Sequence, residues 1–302
     1  MLAFAFVPAH ISGFFQPCVA KVPERTGSRN CGPCLDVGVL TMVKAEPAAR
    51  NSLQIWIDGE RVRADTTSQV VERILRLVRG HSEVAIDHIC QVPVGAGYGA
   101  SGAGAIGAAV ALSKAVGLSL PRKELVRVAH VAEVKCRTGL GDVGAQAFGG
   151  LVIGVKPGAP PHGMWRRIPV PTDMRVICAT LGPISTKSFL SSRSFLKNAE
   201  ELGGKAMDKL LKQPTLKTFG SVSYEFVEGL GLLDEDLKRI IGAAEGAGAI
   251  LASQAMIGRA VFAMVGEKNF PQVKRAFLKH MLPEQLIVSK VYSGKPKLLG
   301  IG

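Results

Sequence analysis

A glycine-rich stretch between Pro93 and Leu112, PVGAGYGASGAGAIGAAVAL, constrains this chain more than any other segment. Six glycines fall between residues 95 and 107, and no charged residue interrupts them. Glycine adopts backbone conformations that other residues avoid and lets a ligand approach the main chain closely. The pattern predicts a strand, a loop and a helix whose first amides face an anion. Close packing of a helix on a sheet, without a ligand, is the alternative that the residues leave open.

Two familiar phosphate-binding patterns fit this stretch poorly. A Walker A loop ends in Gly-Lys-Ser/Thr, whereas the first lysine after the glycines is Lys114. Gly97, Gly99 and Gly102 satisfy the dinucleotide-binding spacing, but that fingerprint also requires an acidic residue at the end of the next strand. Glu124 has the right spacing and falls in a helical stretch instead. The sequence therefore favours neither a Walker A loop nor a dinucleotide-binding loop.

The periodicity of apolar residues predicts a mixed α+β chain. In the first half, strands are expected at 2–7, 37–44, 53–57, 84–94 and 148–155, and helices at 66–79, 101–116 and 119–137. In the second half, strands are expected at 174–180, 248–253, 260–265 and 285–292, and helices at 191–212, 234–246 and 270–281. The Pro- and Gly-rich segment at 156–163 is the predicted linker between domains at 1–160 and 161–302.

The charge distribution argues against nucleic acid as a partner. The net charge is +13, but the lysines and arginines are scattered, and the three tyrosines do not alternate with them. The charge is better explained by a solvated basic surface with one anion-binding cleft.

The longest uncharged window, His88 to Ser113, is long enough to span a membrane. Its proline and glycines favour a buried strand, loop and helix, so no membrane partner is expected.

The first residues lack the basic region and cleavage site of a secretory signal. The six cysteines are irregularly spaced. Together these features predict a cytoplasmic protein with reduced thiols.

The tetrapeptide Cys31-Gly-Pro-Cys34 is identical to a thioredoxin active-site motif. In thioredoxin-like proteins it opens a helix, whereas here the residues from Leu35 to Val39 suggest a strand. No second CxxC or HxxxH accompanies it, so a zinc site is also disfavoured. We expect a turn at Gly32-Pro33 and only modest activity losses on replacing either cysteine.

Three polar residues near the glycine-rich stretch are candidates for chemistry. Asp142 is flanked by Gly139, Gly141 and Gly144, which would let it lie against a ligand, although an aspartate can also stabilise its own turn. His130 and Glu133 are three residues apart and share one face of a helix.

The glycine-rich stretch resembles the phosphate loop of the GHMP kinases, the superfamily of galactokinase, homoserine, mevalonate and phosphomevalonate kinases. The family pattern is a proline, a spacer, Gly-Leu-Gly-Ser-Ser and small residues. Here Tyr98 occupies the leucine position, and Ala100-Ser101 replaces the serine pair. A third glycine-rich motif of the family is degenerate in GAGAILASQAMIG, which retains Gly246, Gly248 and Gly258.

Five segments give the resemblance its detail, and they are most similar to archaeal-type pantoate kinases. They lie between residues 7 and 190: VPAHISGFFQP, TGSRNCGPCLDVGV, GYGASGAG, AHVAEVKCRTGLGDVGAQ and ISTKSFL. The resemblance implies a two-domain α+β fold, with a first domain like ribosomal protein S5 domain 2 and a ferredoxin-like second domain.

The resemblance also implies a role for each candidate residue in transferring phosphate from ATP to the terminal hydroxyl of pantoate. Asp142 would be the catalytic base, and Ser101 and Glu133 would hold Mg²⁺. Ser28, His130, Lys156 and Thr186 would bind pantoate, with Lys156 where the family suggests arginine. The phosphate loop would comprise Pro93, Gly95, Gly97, Gly99, Ala100, Ser101, Gly102 and Ala103. Homodimers are common in this superfamily, so a homodimer is expected by analogy.

Two other functions remain open at this point. One is a GHMP kinase for homoserine, mevalonate or a sugar. The other is a nucleotide-binding regulator without catalysis, against which the set of Ser101, Glu133 and Asp142 argues.

Overall fold

The computed structural model describes residues 1–182 and 186–301, and side-chain detail is not described for Thr186, Lys187 and Ile301. The described strands are β1 Leu2–His10, β2 Phe14–Cys18, β3 Gly27–Ala48, β4 Ser52–Ile57, β5 Glu60–Arg61, β6 His81–Cys90, β7 Leu151–Lys156, β8 Met164–Ile168, β9 Arg175–Gly182, β10 Leu251–Gln254, β11 Arg259–Val265, β12 Leu286–Lys290 and β13 Lys297–Ile301. The helices are α1 Asp65–Leu75, α2 Ala100–Ala115, α3 Arg122–Cys136, α4 Asp142–Phe148, α5 Thr186–Ser191, α6 Arg193–Lys212, α7 Leu216–Gly229, α8 Glu235–Gly246 and α9 Phe270–Leu278.

The first sheet is built around the long strand β3. Its later part lies between β1 and β6, and the sheet continues through β4 and β5 on one side and β13 on the other. Its early part pairs with β2 and β7, and β7 pairs with β8. Most of the neighbouring strands are antiparallel, whereas β4 and β6 are parallel. Because β3 belongs to both parts, it connects the phosphate-loop end of the sheet to the β7–β8 hairpin.

The small residues of α2 let this helix pack closely on the first sheet. It contacts β1 and β3, and α1 and α3 flank it. A Cβ atom added to Gly107 would lie 2.3 Å from Oγ1 of Thr41 on β3, so only glycine fits there. Gly107 therefore serves the packing of the helix on the sheet, which is the alternative that the sequence left open. The glycines of the loop before α2 are described below with the cavity.

The second sheet is antiparallel with the strand order β10-β11-β9-β12. Its strand β9 packs against helices on both faces: Val176 and Cys178 face the cluster formed with α6 and α7, and Ile177 and Ala179 face α8 and α9. Numbered within this sheet, the order is 2-3-1-4 with helices after the first and third strands, as in ferredoxin-like folds. The expected α+β architecture is confirmed.

The division between the sheets differs from the predicted boundary at residue 160. Lys156 and Met164 pair across the hairpin that joins β7 to β8, so both strands belong to the first sheet. The second sheet begins only with β9. The last strand, β13, returns to the first sheet and pairs with β1. A Pro- and Gly-rich composition marks a tight connection here, and such a connection joins strands as readily as domains.

The predicted turn at Gly32-Pro33 was wrong. Both residues lie within β3 and pair with Val152 and Leu151 of β7. A Cβ atom on Gly32 would lie 1.6 Å from the carbonyl oxygen of Ile11, so glycine is required by a close chain approach rather than by a turn. The helices α4, α5 and α7 and the strands β2, β8 and β13 were not predicted either. No helix among the described residues is long and apolar enough to cross a membrane.

Candidate active site between the two sheets

The loop between β6 and α2 has the left-handed backbone that its glycines predict. The φ angles of Gly95, Gly97 and Gly99 are 77°, 88° and 64°. Gly99 is the N-cap of α2, and no side chain caps this helix. Within the described residues, the amides of its first turn have no capping side chain and carry the positive end of the helix dipole, the arrangement that binds phosphate.

Tyr98, which replaces the family's leucine, fastens this loop to the second sheet. Its side chain is buried, and its hydroxyl lies 2.7 Å from Oγ1 of Thr180 on β9. Its carbonyl oxygen accepts a hydrogen bond of 3.0 Å from the main-chain N–H of His10. Gly258 of the degenerate third motif packs directly on the carbonyl of Ala96. The loop is thus held from both sheets.

A cavity of about 300 Å³ opens beside the loop. Two of its walls come from the phosphate loop and from the segment joining α3 to α4. The lining residues are Ser12, Phe15, Ser28, Val94, Gly95, Gly97, Tyr98, Gly99, Ala100, Ser101, Glu133, Thr138, Gly139, Leu140, Gly141, Asp142, Leu190, Met256 and Ile257. Five of the eight predicted loop residues are among them, whereas Pro93, Gly102 and Ala103 are not.

Glu133 lies at the bottom of this cavity in a network of hydroxyl groups. Its carboxyl accepts a hydrogen bond of 3.3 Å from Thr138, and Ser101 also bonds to it. Thr66 joins the network at 2.9 Å from Thr138. Burial, and then the charge of Asp142, raise the pKa of Glu133 to about 8. A buried carboxylate among hydroxyls is an oxygen-rich environment of the kind that Mg²⁺ prefers.

Two glycines leave the room that Glu133 needs. A Cβ atom on Gly139 would lie 2.4 Å from Oε2 of Glu133, and one on Gly102 would lie 3.2 Å from the same oxygen. Ser101 and Glu133, predicted as metal ligands, are therefore brought together in a pocket with oxygen donors and little spare volume.

Asp142 is the first residue of α4 and lies directly against the phosphate loop. A Cβ atom on Gly99 would be 3.1 Å from Cγ of Asp142, so the glycine makes room for the carboxylate as well as for the backbone turn. Oδ1 of Asp142 lies 2.7 Å from Nδ1 of His10, and the Asp142 side chain is 24% exposed. Gln146, one turn further along α4, donates a hydrogen bond of 2.8 Å to the carbonyl of Gly99.

Ser28 faces the same cavity from the start of β3. A Cβ atom on Gly141 would lie 2.3 Å from the Ser28 hydroxyl. Because Gly141 directly precedes Asp142 in the sequence, this hydroxyl lies close to the start of α4. Beside it, Nδ2 of Asn30 donates a hydrogen bond of 3.1 Å to Oγ of Ser12. Two serine hydroxyls, Ser12 and Ser28, therefore line the wall next to the carboxylate.

The structure does not bring all the predicted substrate residues to the cavity. Lys156 is exposed at the end of β7, opposite the exposed Met164, and is absent from the lining. The imidazole of His130 is buried behind the wall, where its Nε2 lies 2.7 Å from the carbonyl oxygen of Thr26. His130 therefore supports the chain just before Ser28. The side chain of Thr186 lies outside the described detail.

Several polar residues of the site were not predicted, namely His10, Ser12, Thr66, Thr138 and Gln146. His10 and Ser12 lie within VPAHISGFFQP, where two polar residues interrupt an apolar run. That interruption was a usable signal, but nothing in the sequence shows that β1 ends beside α4. Neither cysteine of the CGPC motif lines the cavity. Both are buried and free, and burial raises the pKa of each thiol.

The comparisons with known proteins agree with this geometry. Residues 66–150 match the family model described as GHMP kinases N terminal domain. A pantoate kinase of Thermococcus kodakarensis is 32% identical over 303 residues, which covers 99% of this chain and 98% of that protein. The chain belongs to the GHMP kinases. The matched segment extends from α1 to the end of α4, so it includes the phosphate loop, Glu133 and Asp142.

Two further relatives of this GHMP kinase support the assignment. A pantoate kinase of Methanocaldococcus jannaschii is 33% identical, with 85% of this chain and 90% of that protein covered. A solved structure titled "Phosphotransferase related to CoA biosynthesis pathway" has a TM-score of 0.89 and 31% identity, with 99% of this chain and 98% of that one covered.

Proposed function

We propose that this GHMP kinase transfers the γ-phosphate of ATP to the terminal hydroxyl of pantoate and forms 4-phosphopantoate, a step toward coenzyme A. The observation that carries the proposal is the position of Asp142. Its carboxylate lies against Gly99 of the phosphate loop and shares a cavity with Ser101, Glu133 and Ser28. The substrate is inferred from the relatives, which are named pantoate kinases and cover most of this chain.

The proposed mechanism assigns one task to each wall of the cavity. The amides at the start of α2 hold the ATP phosphates, and the hydroxyls of Ser28 and Ser12 orient pantoate. Asp142 accepts the proton of the terminal hydroxyl as that oxygen attacks the γ-phosphorus. The bond from the γ-phosphorus to the bridging oxygen of ADP then breaks, and the electron pair leaves with ADP.

Ser101 and Glu133 are proposed to hold Mg²⁺, because both offer oxygen atoms in one tight pocket beside the loop. When bound, the ion would neutralise charge on the phosphates. Buried Glu133 would supply its charge to the ion once it is deprotonated.

We also propose a cytoplasmic protein, since no disulfide joins the cysteines of the described chain. By analogy with the superfamily alone, we propose a homodimer.

A substrate panel tests the proposed function. ADP release is measured with pantoate, mevalonate, homoserine and galactose as acceptors, and phosphorus NMR identifies the product. We expect turnover with pantoate alone and a phosphate ester on its terminal oxygen. Asp142→Asn is the matched variant, with an expected loss of about 10²–10⁴-fold in kcat and retained ATP binding by calorimetry, because a general base contributes roughly that much. Turnover with another acceptor, or an active folded Asp142→Asn protein, would contradict the proposal.

A further inference from the structure

His10 is a buried polar residue at the point where the two halves of the site meet. Its side chain is completely inaccessible to solvent, at the end of the mostly apolar strand β1. Nδ1 lies 2.7 Å from Oδ1 of Asp142. Nε2 is buried and has no hydrogen-bond partner in the part of the chain that the structure describes. Burying an imidazole costs free energy unless its polar atoms are hydrogen-bonded, so the contact with Asp142 offsets part of that cost.

The environment of the two ring nitrogens selects a tautomer. A proton on Nε2 would be a buried donor without an acceptor, and such donors are disfavoured. The proton therefore belongs on Nδ1, from which it is donated to Asp142. A hydrogen bond from Nδ1 to Oδ1 fixes the orientation of the Asp142 side chain and leaves its other oxygen, Oδ2, outside this contact.

The main chain of His10 contacts the other half of the site. Its N–H donates a hydrogen bond of 3.0 Å to the carbonyl oxygen of Tyr98, immediately before Gly99. One residue thus touches both the phosphate loop, through its backbone, and the carboxylate, through its side chain.

We infer that His10 is a positioning residue for the phosphoryl transfer proposed above, on which this inference rests. Its Nδ1–H holds Oδ1 of Asp142 and leaves Oδ2 to accept the proton of the attacking hydroxyl. Its backbone keeps the phosphate loop at a constant distance from that carboxylate. His10 contacts Asp142 and not the substrate, so its effect is on the orientation of the base. Misplacing a reacting group by about 1 Å costs roughly 100-fold in rate.

Two amide variants separate the hydrogen bond from mere volume. In His10→Asn the amide nitrogen is bonded to Cγ, as Nδ1 is in histidine, so the donor to Asp142 is retained. In His10→Gln the nitrogen is one bond further out, near the position of Nε2, where the described residues offer no hydrogen-bond partner. Both variants keep the main-chain bond to Tyr98. We expect kcat with pantoate to fall about 100-fold in His10→Gln and less than about 10-fold in His10→Asn, with KM for ATP nearly unchanged in both.

A second measurement reads the tautomer directly in the wild-type protein. Nitrogen-15 NMR of the labelled imidazole is expected to show a protonated Nδ1 and an unprotonated Nε2. Equal kcat values for the two variants, or a proton on Nε2 in the wild type, would overturn the inference, and the NMR arm stands even if a variant fails to fold. Failure of the proposed function would appear differently, as absent pantoate turnover in the wild-type enzyme.

Discussion

The two carboxyl groups of the site are close neighbours in very different surroundings. Asp142 is partly exposed and hydrogen-bonded to His10, whereas Glu133 is almost fully buried. Burial and the nearby charge of Asp142 raise the pKa of Glu133 to about 8. Glu133 therefore keeps its proton at neutral pH, and a cation that compensates its charge would favour release of that proton.

The raised pKa of Glu133 has a consequence for stability. The folded protein retains a proton on Glu133 that the unfolded chain releases near pH 4.5, so the stabilisation present at low pH is lost as pH rises toward about 8. Glutamine cannot ionise, so Glu133→Gln should lose less thermal stability than the wild type between pH 5 and roughly pH 9. Melting temperatures in EDTA measure this, and parallel curves for the two proteins would contradict the assignment. Turnover should fall strongly in the variant, because it loses a proposed metal ligand.

At the scale of elements, a buried histidine joins the sheet and the helices of the first domain. Nδ1 of His88 on β6 lies 2.9 Å from Oγ1 of Thr41 on β3, and Nε2 lies 3.1 Å from Oγ1 of Thr67 on α1. Its ring also contacts the position where Gly104 of α2 has no side chain. Burial lowers the pKa of His88 to about 4, so the ring is neutral in the folded protein.

Acid should therefore weaken this junction. The unfolded chain takes up a proton at His88 near pH 6.5, but the folded protein does so only near pH 4, so stability is lost as pH falls between these values. The difference amounts to about 3 kcal/mol. His88→Gln, which cannot titrate, should show a smaller loss of unfolding free energy between pH 7 and pH 4.5 by urea denaturation. His81→Gln is the matched control, because its side chain is exposed. An unchanged pH dependence in His88→Gln would argue against the neutral ring.

The predictability of these elements follows from where their signals lie. The helix α2 and the loop before it were predicted, because left-handed glycines and small packing residues are local features. The position of Asp142 against Gly99 is a contact between distant segments, and only the family resemblance suggested it. The segment Gly27–Cys34 is part of strand β3 but lacks the apolar alternation that predicts a strand. Its residues instead suit a close chain contact at Gly32 and the cavity at Ser28. Lys156 does not line the cavity, because the position of a residue along a strand does not determine which way a hairpin faces.

For the whole molecule, the loop between the two sheets is the structural link that matters most. Tyr98 bonds to Thr180 on β9, while the neighbouring Gly99 touches Asp142 on α4. The loop that we propose to bind ATP is therefore hydrogen-bonded to the second sheet.

Removing one oxygen tests this link. Tyr98→Phe keeps the buried ring and loses the 2.7 Å hydrogen bond to Thr180, so the loop is less firmly held. We expect about 1 kcal/mol of lost stability and a several-fold rise in KM for ATP. Thr180→Val removes the same bond from the other side, and the double variant should be no worse than the single ones. Additive effects in this double-mutant cycle would show that the hydroxyl pair does not couple the sheets.

Strand β1 lies near the start of the chain, but one of its two neighbours in the sheet, β13, lies near residue 300. Ala3 pairs with Val43 on one side and with Ile301 on the other, so the strand that ends in His10 acquires its outer neighbour only after nearly three hundred further residues have been made. A nascent chain halted before that point exposes the main-chain groups of β1 along an open edge, which invites association with other chains. The strand that carries His10 therefore completes its pairing only after the second domain and the strand beyond it have been synthesised.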